Sequence, residues 1–139
     1  MCIRDRAKLG IPEVKRSLVA AGGALLRLPK RIPYHLAMEL ALTGDPISAE
    51  RGYELGIVNR LADSGQAVGV ARELADAIAV NAPLALDASK RIVQAAVDWT
   101  EAEGWEKQGE LTGPVFASED AREGATAFAE KRQPVWRGR

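Results

Sequence analysis

Helical patterns far outnumber strand patterns along this 139-residue chain, and the imbalance limits what it can fold into. Two short runs, at residues 9–19 and 57–61, have the composition of β-strands, although Pro12 restricts the first to an edge strand or an extended loop. At least five other segments have helical spacing or helix caps. Because two isolated short strands make no stable sheet, the chain either packs these runs as loops on helices or lacks their flanking strands.

Capping signals and apolar spacing locate the predicted helices. Ser48 and Ser118 are predicted N-caps, and Thr100 with Glu103 has the pattern of a capping box. The helix body at residues 36–42 is apolar on nearly every side, so we expect it to be buried. The other helical segments are predicted at residues 24–28, 49–55, 67–78, 83–98, 100–114 and 118–131. The fold class predicted for the chain is therefore mostly α.

Small side chains make up most of the apolar surface, because 24 residues are alanine whereas aromatic residues are only 5% of the chain. Alanine faces stabilise packing only when many contacts are pooled, which favours helices that bury a second face against another subunit. Trp99, Trp105 and Trp136 are expected to fill interface space rather than to stack on a ligand.

Charge and cysteine content exclude several function classes. The 19 Lys and Arg residues balance the 19 Asp and Glu residues, so the chain lacks the basic character of nucleic-acid-binding proteins. No apolar stretch approaches the roughly 20 residues that a membrane span needs. Cys2 is the single cysteine, and His35 is the single histidine. We therefore expect no metal site, no nucleic-acid or membrane partner and a cytoplasmic location.

Five motifs follow one another along the chain: LGIPEV at 9–14, AAGG at 20–23, TGDPISAE at 43–50, GIVN at 56–59, and SEDAREG with AFAEKR at 118–132. Together they resemble the enoyl-CoA hydratase/isomerase family, the crotonase superfamily. The resemblance implies that residues 7–139 are the C-terminal half of an α/β crotonase-type spiral fold, including its helical oligomerisation region. Residues 1–6 fall outside the pattern and are predicted to be a disordered start.

The resemblance implies roles for four residues. Glu13 would be the catalytic acid or base, Ala21 and Gly22 would line the acyl pocket, and Lys131 would approach CoA phosphates bound by a neighbouring subunit. The residue types alone also allow a solvated loop glutamate, a tightly packed glycine turn and an ordinary exposed lysine in a last helical turn.

The function implied by the resemblance is that of an enoyl-CoA hydratase-type lyase, which hydrates 2-enoyl-CoA thioesters in fatty acid metabolism. No cofactor is expected, because CoA is part of the substrate. An isomerase of the same family and a non-catalytic helical assembly module are the alternatives. We expect a homo-oligomer, a trimer or a dimer of trimers, and an inactive isolated chain, because the family's N-terminal half supplies the oxyanion hole.

Overall fold

The computed structural model describes residues 2–4 and 6–139, which divide into two compact units, Met1–Leu74 and Ala75–Arg139. Within the described residues the helices are α1 (Ala24–Arg27), α2 (Tyr34–Thr43), α3 (Ala49–Glu54), α4 (Ala67–Ala79), α5 (Pro83–Ala95), α6 (Glu101–Phe116) and α7 (Glu119–Glu130). The strands described are β1 (Cys2–Arg4), β2 (Lys8–Leu9), β3 (Ile47–Ser48) and β4 (Arg60–Ala62). The mostly helical fold class is confirmed, but the described residues contain four short strands rather than two. None of the described helices is long and apolar enough to cross a bilayer.

The strands form two small sheets in the first unit. β1 pairs with β4 in parallel, with Ile3 opposite Leu61, and β2 pairs with β3 in antiparallel fashion, with Leu9 opposite Ile47. The prediction of a disordered start is therefore wrong for residues 2–4, which gain backbone partners in β4; residues 1 and 5 lie outside the described residues. The strand predicted at 57–61 begins later, at Arg60.

Pro12 begins a 3-10 helix, Pro12–Arg16, instead of limiting a strand. The prediction of an edge strand or an extended loop at 9–19 is wrong for Pro12–Arg16. Pro12 occupies the first helical position, where its missing N–H costs nothing. The helix ends at Ser17, whose left-handed backbone (φ 57°) lets its N–H reach the Val14 carbonyl at 3.3 Å.

The predicted N-caps are confirmed. Ser48 Oγ accepts from the Arg51 N–H at 3.1 Å, and Ser118 Oγ accepts from the Ala121 N–H at 3.0 Å. In the capping box of α6, the Thr100 N–H donates to Glu103 Oε2 at 2.9 Å. These side chains satisfy N–H groups that lack a partner within the helix.

Helix α6 runs through Pro114 to Phe116, beyond its predicted end. Pro114 lies in the last turn, where it removes one hydrogen bond without breaking the helix, and the Ala117 N–H still donates to the Gly113 carbonyl at 3.2 Å.

The core of the first unit is built around one side of α2. Ile32, Ala37 and Leu40 are buried there. The half-buried side chains that pack against them are Ile11, Leu28, Leu36, Ile47, Leu55 and Ile57. Residues 36–42 were expected to be buried because they are apolar on nearly every side, but Leu42 is 65% exposed, because only one side of α2 meets this core.

In the second unit, the segment after α7 is fixed to the start of that helix. The buried Asp120 carboxylate accepts from the backbone N–H groups of Arg137 at 2.7 Å and Gly138 at 2.9 Å. The Glu119 N–H donates to the Arg139 carbonyl at 2.8 Å. Trp136 is half-buried, and its indole N–H donates to the Val80 carbonyl at 2.8 Å.

Glu123 adds a second connection to the same segment. Its carboxylate accepts from the Arg132 guanidinium at 2.6 and 3.0 Å and from the Val135 N–H at 2.8 Å. The hydrogen bonds from Arg132, followed by the one from Val135, lower the pKa of Glu123 from 4.5 to about 2.

Replacing Asp120 by Ala should lower the free energy of unfolding by about 2–3 kcal/mol, because two backbone N–H groups lose a charged acceptor. Denaturant unfolding of the two proteins measures the difference. Asp76→Ala, at an exposed position of α4, is the matched control and should have a much smaller effect. Equal losses in both variants would contradict the assigned role of Asp120.

The Glu123 contacts should make stability depend on pH. Since the pKa is lower in the folded state, their contribution is complete above about pH 4.5 and is lost as the pH falls towards about 2. The free energy of unfolding should therefore decline more steeply between about pH 5 and pH 2 in the unmodified protein than in Glu123→Gln. Parallel pH profiles would show that the carboxylate is not stabilised in the folded state.

Candidate active site around Glu13

Glu13 is the second residue of the 3-10 helix Pro12–Arg16, and its backbone is held on both sides. Pro12 is the residue immediately before Glu13, and its ring fixes its φ angle. After it, the Leu18 N–H donates to the Glu13 carbonyl at 3.1 Å. The side chain therefore projects from a constrained backbone rather than from a solvated loop, and it is half-buried.

The Glu13 side chain lies in an apolar pocket of about 180 Å³. The other lining residues are Ile11, Val14, Leu18, Val19, Ala20, Leu25, Ala41 and Leu42. Glu13 Oε2 is shielded from solvent and has no hydrogen-bond partner among the described residues. Because an unpaired buried polar atom is unfavourable, such an atom in a concave apolar site is a candidate for contact with a ligand.

The sequence interpretation missed most of this lining. Val14, Leu18 and Val19 belong to the run that was interpreted as strand-like or extended, and Ala41 and Leu42 belong to α2. Apolar residues next to a Pro-Glu pair were the available signal. Their convergence depends on the turn at Ser17 and on the packing of α2 against the 3-10 helix, which periodicity does not report.

The turn that contains Ala21 and Gly22 directly follows the pocket residues but is not part of the pocket lining. Both residues are exposed, and the Ala21 N–H donates to the Val19 carbonyl at 2.8 Å. A Cβ atom at Gly22 would meet nothing within 4 Å, so close packing does not explain this glycine. Gly23, with φ 93°, does need the glycine conformation to begin α1.

Lys131 lies in the second unit, where it caps the C-terminus of α7. It is exposed and has a left-handed backbone (φ 54°), and its N–H donates to the Phe128 carbonyl at 3.2 Å. Glycine is the usual residue at this position, because a Cβ atom adds strain of about 1 kcal/mol. The ammonium group therefore stands at the end of the helix despite a local conformational cost.

The comparison with known protein families shows which family the chain belongs to. The family model for enoyl-CoA hydratase/isomerase matches residues 1–139. The chain belongs to the enoyl-CoA hydratase/isomerase family. The matched range begins at residue 1, so it includes the six residues that were expected to fall outside the family pattern.

Curated relatives in this family include two enzymes whose sequence identity to the chain is about the same. Enoyl-CoA hydratase EchA19 of Mycobacterium tuberculosis is 43% identical over 135 residues, which are 97% of this chain and 51% of that protein. Carnitinyl-CoA dehydratase of Proteus mirabilis is 42% identical over 139 residues, which cover 97% of this chain and 53% of that protein. The chain thus spans about half the length of these relatives.

Solved structures of the family superpose closely on this chain over about half of their own length. An enoyl-CoA hydratase from M. tuberculosis H37Rv superposes with a TM-score of 0.95 at 53% identity, covering 99% of this chain and 55% of that one. An enoyl-CoA hydratase from Bacillus anthracis gives 0.94 at 30% identity, covering 99% and 54%. The assignment of the chain to the C-terminal half rests on the order of its motifs and stays a prediction.

Lys131→Gly should raise the free energy of unfolding by about 1 kcal/mol, because glycine adopts the left-handed conformation without a Cβ clash. Thermal unfolding measures the change. Arg122→Gly, at an exposed position inside α7, should instead destabilise the protein by about 1 kcal/mol. A loss of stability at both positions would contradict the strain assigned to Lys131.

Proposed function

We propose that this chain supplies one acid/base group of an acyl-CoA site, with Glu13 as that group, in an enzyme that hydrates 2-enoyl-CoA thioesters. The observation that supports the proposal is the buried, unpartnered Glu13 Oε2 in an apolar pocket. Family membership supplies the class of substrate. The remaining half of the relatives' length is proposed to supply the oxyanion donors and a second acid/base group.

The proposed reaction transfers protons at the substrate. It transfers no electrons to or from a cofactor. The oxygen of water adds to the β-carbon of the enoyl thioester, and a proton is added to the α-carbon after the thioester oxygen has carried the developing negative charge. Glu13 Oε2 is the atom proposed to transfer a proton at the substrate, which requires an approach of about 3 Å. This chemistry requires neither a redox group nor a metal, and CoA enters as part of the substrate.

Hydration is favoured over double-bond isomerisation by the names of the relatives. One is an enoyl-CoA hydratase and the other a carnitinyl-CoA dehydratase, names that denote the addition of water and its elimination. A carboxyl group that exchanges protons with water and carbon serves both directions. An isomerase of the same family remains the alternative activity.

The proposal extends to the other predicted site residues, although Ala21 and Gly22 do not line the Glu13 pocket. The turn at Ala21 and Gly22 follows the pocket residue Ala20, and we propose that it borders the acyl chain. The exposed Lys131 ammonium is proposed to pair with the phosphates of a CoA bound by a neighbouring subunit.

Exposed aromatic side chains of the second unit support the proposed homo-oligomer and favour an assembly role for its helices. Phe128 is 88% exposed, Phe116 78% and Trp105 68%. Aromatic side chains are enriched at protein interfaces.

Because the proposed site needs parts outside this chain, we propose that the isolated chain is inactive.

Glu13→Gln should lower kcat for hydration of a 2-enoyl-CoA by about 10²–10⁴-fold in a full-length enzyme that carries this chain. The amide keeps the size of the side chain but cannot exchange a proton, so KM should change little. Steady-state kinetics of the two proteins test this expectation. Glu39→Gln, at an exposed glutamate of α2, is the matched control. Unchanged turnover in Glu13→Gln would remove Glu13 from the reaction.

A further inference from the structure

The C-terminal end of α2 contacts the 3-10 helix that carries Glu13. Gly44 terminates α2 with φ 65°, and its N–H donates to the Leu40 carbonyl at 3.2 Å. A Cβ atom on Gly44 would lie 3.1 Å from Val14 Cγ1 and 3.1 Å from Lys15 Cγ. Since both distances are shorter than ordinary van der Waals contact, the two elements approach this closely only because residue 44 has no side chain.

Residues next to Gly44 hold the same region. Lys15 Nζ forms an ion pair with Asp45 Oδ1, and the Asp45 N–H donates to Thr43 Oγ1 at 3.2 Å. Before the 3-10 helix, Gly10 approaches Pro46 so closely that an added Cβ would lie 3.1 Å from Pro46 Cα. β3 then pairs with β2. Residues 43–48 therefore contact the chain on both sides of Glu13.

We propose that the turn Gly44–Asp45 is a positioning element for Glu13, holding its carboxylate in the apolar pocket by close contact with Val14 and Lys15. The inference rests on the proposed function of Glu13. Lys15 can move a flexible side chain away from an added atom, but Val14 is β-branched and stiff, so a side chain at residue 44 shifts the backbone beside Glu13. The contact requires its neighbours to move by a few tenths of an ångström, so the expected loss of rate is smaller than the roughly 100-fold that a displacement of about 1 Å can cause.

Gly56 offers a matched control for this contact. It also has a left-handed backbone, with φ 75°, but a Cβ atom there would meet nothing within 4 Å. Alanine at either glycine therefore adds similar backbone strain, and only alanine at residue 44 pushes on the 3-10 helix.

The test compares Gly44→Ala with Gly56→Ala in the full-length enzyme that carries this chain. We expect Gly44→Ala to lower kcat for 2-enoyl-CoA hydration at least about tenfold with KM within about twofold, because the reacting carboxylate moves while the binding surface stays. Gly56→Ala should keep kcat within about twofold although its backbone strain lowers Tm. Equal kcat values in the two variants would overturn the proposal.

A second pair of variants tests the turn without adding a side chain at residue 44. Asp45→Asn keeps Gly44 but weakens the ion pair with Lys15, and Asp63→Asn is the control at an exposed aspartate. Asp45→Asn should lower kcat about two- to fivefold without a matching change in KM, since exposed ion pairs contribute modestly. If Gly44→Ala does not fold, the comparison of Asp45→Asn with Asp63→Asn tests the proposal alone. Equal kcat values in these two variants would overturn it.

Glu13→Gln, measured in parallel, separates the two proposals. If Glu13→Gln keeps full turnover, the proposed function fails and the positioning role fails with it. If Glu13→Gln loses turnover while the Gly44 and Asp45 variants match their controls, only the positioning role is overturned.

Discussion

The enclosure of one carboxylate oxygen by apolar side chains is the constraint on which the proposed site depends. Glu13 Oε2 has no partner among the described residues, so the surrounding packing must offset the cost of keeping it away from water. The pocket is lined by residues beside and within the 3-10 helix that Pro12 begins, where an edge strand or an extended loop was expected, and by Ala41 and Leu42 of α2. A site with an unsatisfied polar atom is maintained only by a rigid surrounding structure.

In the second unit, by contrast, the buried Asp120 and the partly exposed Glu123 both have hydrogen-bond partners. Asp120 binds two backbone N–H groups of the segment after α7, and Glu123 binds Arg132 and Val135. These contacts fix residues that carry no regular secondary structure. Lys131, which precedes this segment, keeps a strained backbone conformation while its side chain remains exposed to solvent.

Sequence interpretation succeeded where the signal was local and failed where it depended on distant partners. Ser48, Thr100 and Ser118 were predicted as helix caps because a cap needs only residues within one turn. The disordered start was wrong for Cys2–Arg4, because that strand pairs with a segment almost sixty residues away. The expected burial of residues 36–42 was wrong on one side, because apolar character does not state which side meets a core.

By itself, the sequence determined the family, the mostly helical composition and the residue proposed to transfer a proton, since motif order, periodicity and residue type are written along the chain. Only the tertiary structure decided that Glu13 lies in an apolar pocket and that Gly44 closes on the residues beside it. The physical reason is that burial and close contact depend on segments far apart in sequence. Gly44 and Val14 lie thirty residues apart in the sequence, and their close approach leaves no mark on either local pattern.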